Sequence, residues 1–144
     1  MWRSDHAGRQ ALTAVVLGHL AVTLAHGVSH GLQQVAPSAP AAAYIVIVIY
    51  AAPLVGLRLL RGPRGWEGAM TITAAMAGSL LFGLWNHFVV PGADHVAHQG
   101  IGAWASAFQA TAVLLVVSEA LGTWVGIEVL RESRGRGMAR EEGR

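Results

Sequence analysis

The sequence predicts an all-α integral membrane protein, a four-transmembrane-helix bundle with both termini cytoplasmic. Three observations carry this expectation. Of 144 residues, 53% are hydrophobic and only 12% are charged, whereas soluble domains carry about 25% charged residues. That is too little polarity to cover a globular surface. The apolar residues fall into four segments, each long enough for the ~20 residues that cross ~30 Å of hydrocarbon as a helix. Every arginine lies in a tail, in the connection between the second and third segments or, for Arg58, in the last turn before that connection.

The first segment covers residues 11–32, after a polar start that carries Arg3 and Arg9. A basic start and an apolar run also describe a signal peptide, but Thr23-Leu24-Ala25 is a poor cleavage site and histidines are foreign to such a segment. Residues 33–40 contain Pro37 and Pro40 and read as a loop. The second segment, residues 41–60, has a β-branched run that would suit a buried strand; its full length favours a membrane helix, with a kink at Pro53. Residues 66–90 form the third segment, ended by Pro91-Gly92. The fourth, residues 95–127, begins after Asp94, which fits an N-cap. Residues 1–130 therefore make one membrane domain, and 131–144 read as a disordered, charged cytoplasmic tail.

Arginine placement orients the bundle. Arg3, Arg9, Arg58, Arg61, Arg64 and the five arginines of the C-terminal tail leave the first and third connections bare. The positive-inside rule then places both termini and the second connection in the cytoplasm of a multi-pass cell-membrane protein. The first and third connections face outward. Trp85 and Trp104 read as the outer aromatic belt, Trp66 and Trp124 as the inner one.

This topology gathers ligand-type residues at the outer end. At ~100° per residue, His19, His26 and His30 fall within ~40° of one another on the first helix. An i,i+4 pair such as His26 and His30 can present two imidazoles to one ion. His87 ends the third segment, and Asp94, His95 and His98 follow it. Imidazole with one carboxylate suits zinc, copper or iron. The expected metal residues are thus His26, His30, His87, Asp94, His95 and His98. His19, Asn86 and Gln109 are expected as supporting polar groups, with His19 and Gln109 facing each other across the bundle. Glu119 is expected to snorkel toward the cytoplasmic surface.

The leading functional expectation is a transition-metal site at the extracytoplasmic end of the bundle, compatible with a metal-dependent membrane enzyme. Two alternatives stand beside it. One is a b-type haem electron-transfer subunit, with His26 or His30 and His87 as the axial pair. The other is a non-enzymatic proton- or metal-conducting or accessory subunit. The expected surroundings are the lipid bilayer and a membrane partner subunit or a second copy. A basic groove with interleaved aromatics is missing, which excludes nucleic acid. With no cysteine in the chain, disulfides and thiolate metal sites are excluded as well.

Overall fold

The computed structural model describes residues 2–142, and side chains for residues 6–135. Four of its helices are long and apolar enough to cross a membrane: His6–Leu32, Ala39–Leu60, Gly65–Val89 and Ala103–Gly135. The four expected apolar helices are therefore present, although three boundaries (the start of the first and both ends of the fourth) and several internal details differ.

Helix α1 (Trp2–Leu32) absorbs the polar start into its first turns. It ends where Gln34 takes φ 57°, the left-handed conformation that closes many helices. Gln34 N donates to Gly31 O, and Val35 N donates to His30 O, both at 3.1 Å. The chain thus folds back over its own last turn and brings the Val35 carbonyl to the His30 ring.

Ser38 then caps α2 (Ala39–Tyr44), its side chain accepting from Ala41 N, with Pro40 in the first turn. The expected kink at Pro53 takes a different form. Residues Ile45–Ala51 are wound as a π-helix, and Pro53 sits in the first turn of α3 (Ala52–Leu60). Proline has no N–H to give to the preceding turn, and the wide turn ahead of it accommodates that loss. α4 (Gly65–Leu84) likewise passes into a π-helical turn, Trp85–Val89. Asn86 Nδ2 donates to Phe82 O at 2.8 Å, and Val90 N to Trp85 O at 2.9 Å. Such bulges re-aim side chains and cluster at functional positions; this one carries His87.

The fourth helix starts later than its sequence suggests. Residues 95–102 form a loop with one 3-10 turn, Val96–His98. α5 begins at Ala103 and runs to Glu142. Gly102, at φ 150°, makes the corner in a conformation that favours glycine. Asp94 therefore does not cap this helix. At the other end, the tail expected to be disordered from residue 131 continues α5 as far as Glu142. An established helix gains one hydrogen bond per added residue, and Arg131 pairs with Glu128 at 2.8 Å across the junction.

α1 packs along α5, α5 along α4, and α4 along α3 and its π-helical stretch, while α1 meets α3 only slightly. The buried positions of α5 (Ala105, Phe108, Ala112, Leu115, Glu119, Gly122, Gly126, Val129) alternate in steps of three and four, the seam of coiled-coil-like packing. Small residues allow the close approaches that drive helix association in lipid. At Gly68 an added Cβ would lie 2.7 Å from the Gly56 carbonyl oxygen and 2.8 Å from Leu60 Cα.

The core has two halves. Toward the arginine-rich end it is apolar, with Leu12, Val16, Leu57, Leu60, Ala69, Ile72, Met76 and Val129 packed together, and Arg9 Nη1 donates to Leu60 O at 3.1 Å. Toward the other end the buried residues include His19, Thr23, His26, Ser29, Ser79, His87 and Glu119. Trp66, Trp85, Trp104 and Trp124 all face outward from the bundle.

Candidate metal centre

Three histidines meet in the polar half. His26 Nε2 lies 3.2 Å from His87 Nε2 and 3.2 Å from His30 Nε2. One ligand nitrogen from each of the three falls within 4.8 Å of the other two, so the cluster can hold a metal ion. The helical i,i+4 spacing aligns His26 with His30, and the π-helical turn delivers His87 from the other side. Phe108 backs all three, its ring centroid 4.7 Å from His26, 4.9 Å from His30 and 5.5 Å from His87.

Carbonyl partners on the far side of two rings settle the tautomers of His30 and His87. His87 Nδ1 donates to the Asp94 carbonyl at 2.9 Å, and His30 Nδ1 donates to the Val35 carbonyl at 3.2 Å. A carbonyl only accepts, so these Nδ1 atoms carry the protons. His26 Nδ1 stands 2.8 Å from Thr111 Oγ1. Thr111 Oγ1 also stands 2.7 Å from Ala107 O; with its hydroxyl proton directed there, its oxygen accepts from His26, which gives His26 the same tautomer as the other two.

When the proton of each ring is on Nδ1, the three Nε2 atoms face one another as bare acceptors. Two of their separations, His26 to His30 and His26 to His87, have hydrogen-bond length, but in this tautomer no proton is left to share. Three lone pairs at that range repel unless a cation sits among them. A tetrahedral ion with bonds of ~2.05 Å spaces its nitrogen ligands ~3.3 Å apart, close to the 3.2 Å from His26 to each of the other two. Outward Nδ1–H bonds to carbonyl or hydroxyl oxygens are also how metal-bound histidines are held in orientation.

The other expected site residues separate into near and distant groups. Asp94 adjoins the cluster in two ways: its carbonyl holds His87, and its Oδ1 lies 3.4 Å from His30 Nδ1. That contact falls outside hydrogen-bond geometry, and Oδ1 is buried without a hydrogen-bond partner. His95 and His98 are not part of the cluster. They pack against each other, centroids 4.8 Å apart, and engage loop backbone at Ala97 and Gly92. Both were expected on or beside a helix whose start lies at Ala103, so the loop turns them elsewhere.

The supporting residues are also rearranged. Asn86 serves its own helix at Phe82 O. Gln109 is exposed and donates to Val96 O at 2.9 Å, anchoring the loop; it does not face His19. His19 is fully buried and lies 3.4 Å from Ser118 Oγ, 3.4 Å from Thr23 Oγ1 and 4.0 Å from Glu119 Oε1. Glu119 is therefore inside the bundle, 2% exposed, and not at the surface. The three-and-four spacing that joins it to Phe108, Ala112, Leu115, Gly122 and Gly126 was the signal for this.

A cavity of about 270 Å³ opens beside the histidines. Its walls come from all four spans and are mostly apolar, including Ile45, Ile49, Phe82 and Leu115, with His26, His30, His87, Asp94 and Glu119 at its polar edges. Asp94 Oδ1 and Glu119 Oε2 are the buried side-chain oxygens without a hydrogen-bond partner among the described residues, and both residues line this cavity.

The His26–His87 pair leaves no room for a haem between its Nε2 atoms. Axial nitrogens stand ~4 Å apart on opposite faces of a porphyrin when each bond is ~2 Å. His26 and His87 Nε2 are 3.2 Å apart, with rings at 78° to each other. The polar stripe of α1 also stops at His19, where Val16 and Leu12 join the apolar core, so a conducting path would have to cross that core.

Comparison with family models, curated proteins and solved structures finds no match to this chain. The histidine cluster and the four apolar helices are the observations from which a function can be argued.

Proposed function

We propose that this protein is a multi-pass cell-membrane protein that binds a transition-metal ion through His26, His30 and His87, on the outer side of the bilayer with both termini in the cytoplasm. The observation that carries this reading is the convergence of three imidazoles, each with its Nδ1 turned outward to a hydrogen-bond partner. Nitrogen ligands suit zinc, copper or iron.

Three protein ligands leave a tetrahedral ion one open position, the arrangement of catalytic rather than structural sites. The apolar cavity beside the cluster fits a small, membrane-soluble molecule reaching that position. The ion would act there as a Lewis acid or by activating bound water.

The test is elemental analysis with a visible spectrum on detergent-purified wild type and His87→Ala. One zinc, copper or iron per chain, lost in the variant, supports the reading. A folded wild type that takes up none of the three ions after incubation with each would overturn it, and a Soret band would replace it with haem.

A further inference from the structure

The three histidines account for the ligands of an ion but not for its charge. A divalent ion on three neutral imidazoles keeps its full +2 charge, and charge within an apolar bundle persists only when compensated close by. Two carboxylates reach the same cavity, one from the loop after the third span and one from the middle of α5.

Glu119 is the informative one. Its Oε1 is 4.0 Å from His19 Nδ1, beyond hydrogen-bond distance, and its Oε2 is buried with no hydrogen-bond partner. An oxygen left so is costly unless a donor or cation fills the space in front of it. That space is specified by Gly83. A Cβ built there would lie 3.5 Å from Glu119 Oε2 and 4.0 Å from His87 Cδ2. The carboxylate and the ligand ring thus face the same small volume, kept open because residue 83 has no side chain.

Resting on the metal-site reading above, we propose that Glu119, together with Asp94, compensates a hydrated divalent ion at His26, His30 and His87. Glu119 Oε2 accepts a hydrogen bond from the water at the ion's open position. The ion supplies the cation that the Nε2 atoms need, and its water supplies the donor that Glu119 lacks. Two carboxylates against three neutral imidazoles make a site neutral for a divalent ion and over-compensated for a monovalent one. Glu119 is then a positioning and specificity residue, not a ligand.

The experiment compares Co2+ binding, followed by its visible bands, with Cu+ binding, followed by competition with a chromophoric chelator. Wild type, Glu119→Gln and Gly83→Ala are compared in detergent. Glu119→Gln keeps the shape and removes the charge, so Co2+ affinity should fall ~10–100-fold and Cu+ affinity by much less. Gly83→Ala adds a methyl at ordinary contact distance from Oε2 and keeps the charge. It should displace the water, altering the Co2+ bands and weakening binding; this variant decides the matter if Glu119→Gln does not fold.

Co2+ bound by both variants with wild-type affinity and bands overturns the role of Glu119 and leaves the three-histidine site standing. Equal losses for Co2+ and Cu+ in Glu119→Gln also overturn it, since they mark a general structural contribution. A folded wild type that binds neither ion overturns the metal-site reading and this inference with it.

Discussion

His26 Nε2 and His87 Nε2 stand 3.2 Å apart, although 61 residues separate them along the chain. The two rings approach edge to face, centroids 4.8 Å apart, and each is held from behind by its own hydrogen bond, to Thr111 and to the Asp94 carbonyl. The consequences of this pairing can be measured one residue at a time.

Removing a ligand should abolish binding, whereas removing a support should only weaken it. Thr111→Val keeps the shape of the side chain and deletes the oxygen that accepts from His26 Nδ1. We expect metal affinity to fall ~10–100-fold with the helical content unchanged. Competition titration against a calibrated chelator, beside circular dichroism, measures both. Wild-type affinity in this variant would show that the Thr111 contact does not orient the ring.

His95→Ala and His98→Ala should each retain wild-type metal stoichiometry, because those rings contact loop backbone and one another. Elemental analysis decides this. Loss of the ion in either variant would mean that the loop reorganises around the metal.

The ion should stabilise the bundle by tying α1 to the end of the third span, two elements that otherwise communicate mainly through α5. A ligand at 100 times its Kd adds about 2.7 kcal/mol to the state that binds it. Chelation should therefore lower the thermal midpoint of wild type, and leave that of His87→Ala where it was. An equal response in both would place the chelator's effect elsewhere.

Gly68→Ala should loosen the contact between α3 and α4. The added methyl meets backbone at Gly56 and Leu60, which cannot rotate away as a side chain would. Overpacking of this kind costs about 1–3 kcal/mol, to be read as a lower midpoint of thermal unfolding in detergent. Wild-type stability would mean that the two helices separate without penalty.

Sidedness is open to a direct measurement because the chain has no cysteine. Ala97 and Arg61 are both exposed, in the third and second connections. A membrane-impermeant maleimide added outside intact cells should label Ala97→Cys and spare Arg61→Cys until the membrane is opened. The reverse pattern would invert the proposed topology and place the histidines on the cytoplasmic side.

Much of the architecture was legible in local sequence. Four apolar stretches of spanning length need only their own composition to be recognised, and His19, His26 and His30 share one face because helical periodicity alone puts them there. The start of α5 was less legible. Residues 95–102 include apolar positions that read as the start of a span, and the turn at Gly102 becomes evident only in its backbone conformation.

The sequence by itself determined the helical class, the four spans and the histidine stripe of α1, since each depends on neighbours within a few turns. Tertiary structure alone decided which distant residues complete the site: His87 joins His26 and His30, His95 and His98 are left in the loop, and Glu119 turns inward instead of snorkelling. Composition placed these residues near one end or the other. Helix packing, two π-helical turns and the later start of α5 decided which side chains meet, because a shift of one residue rotates a side chain by ~100° about its helix.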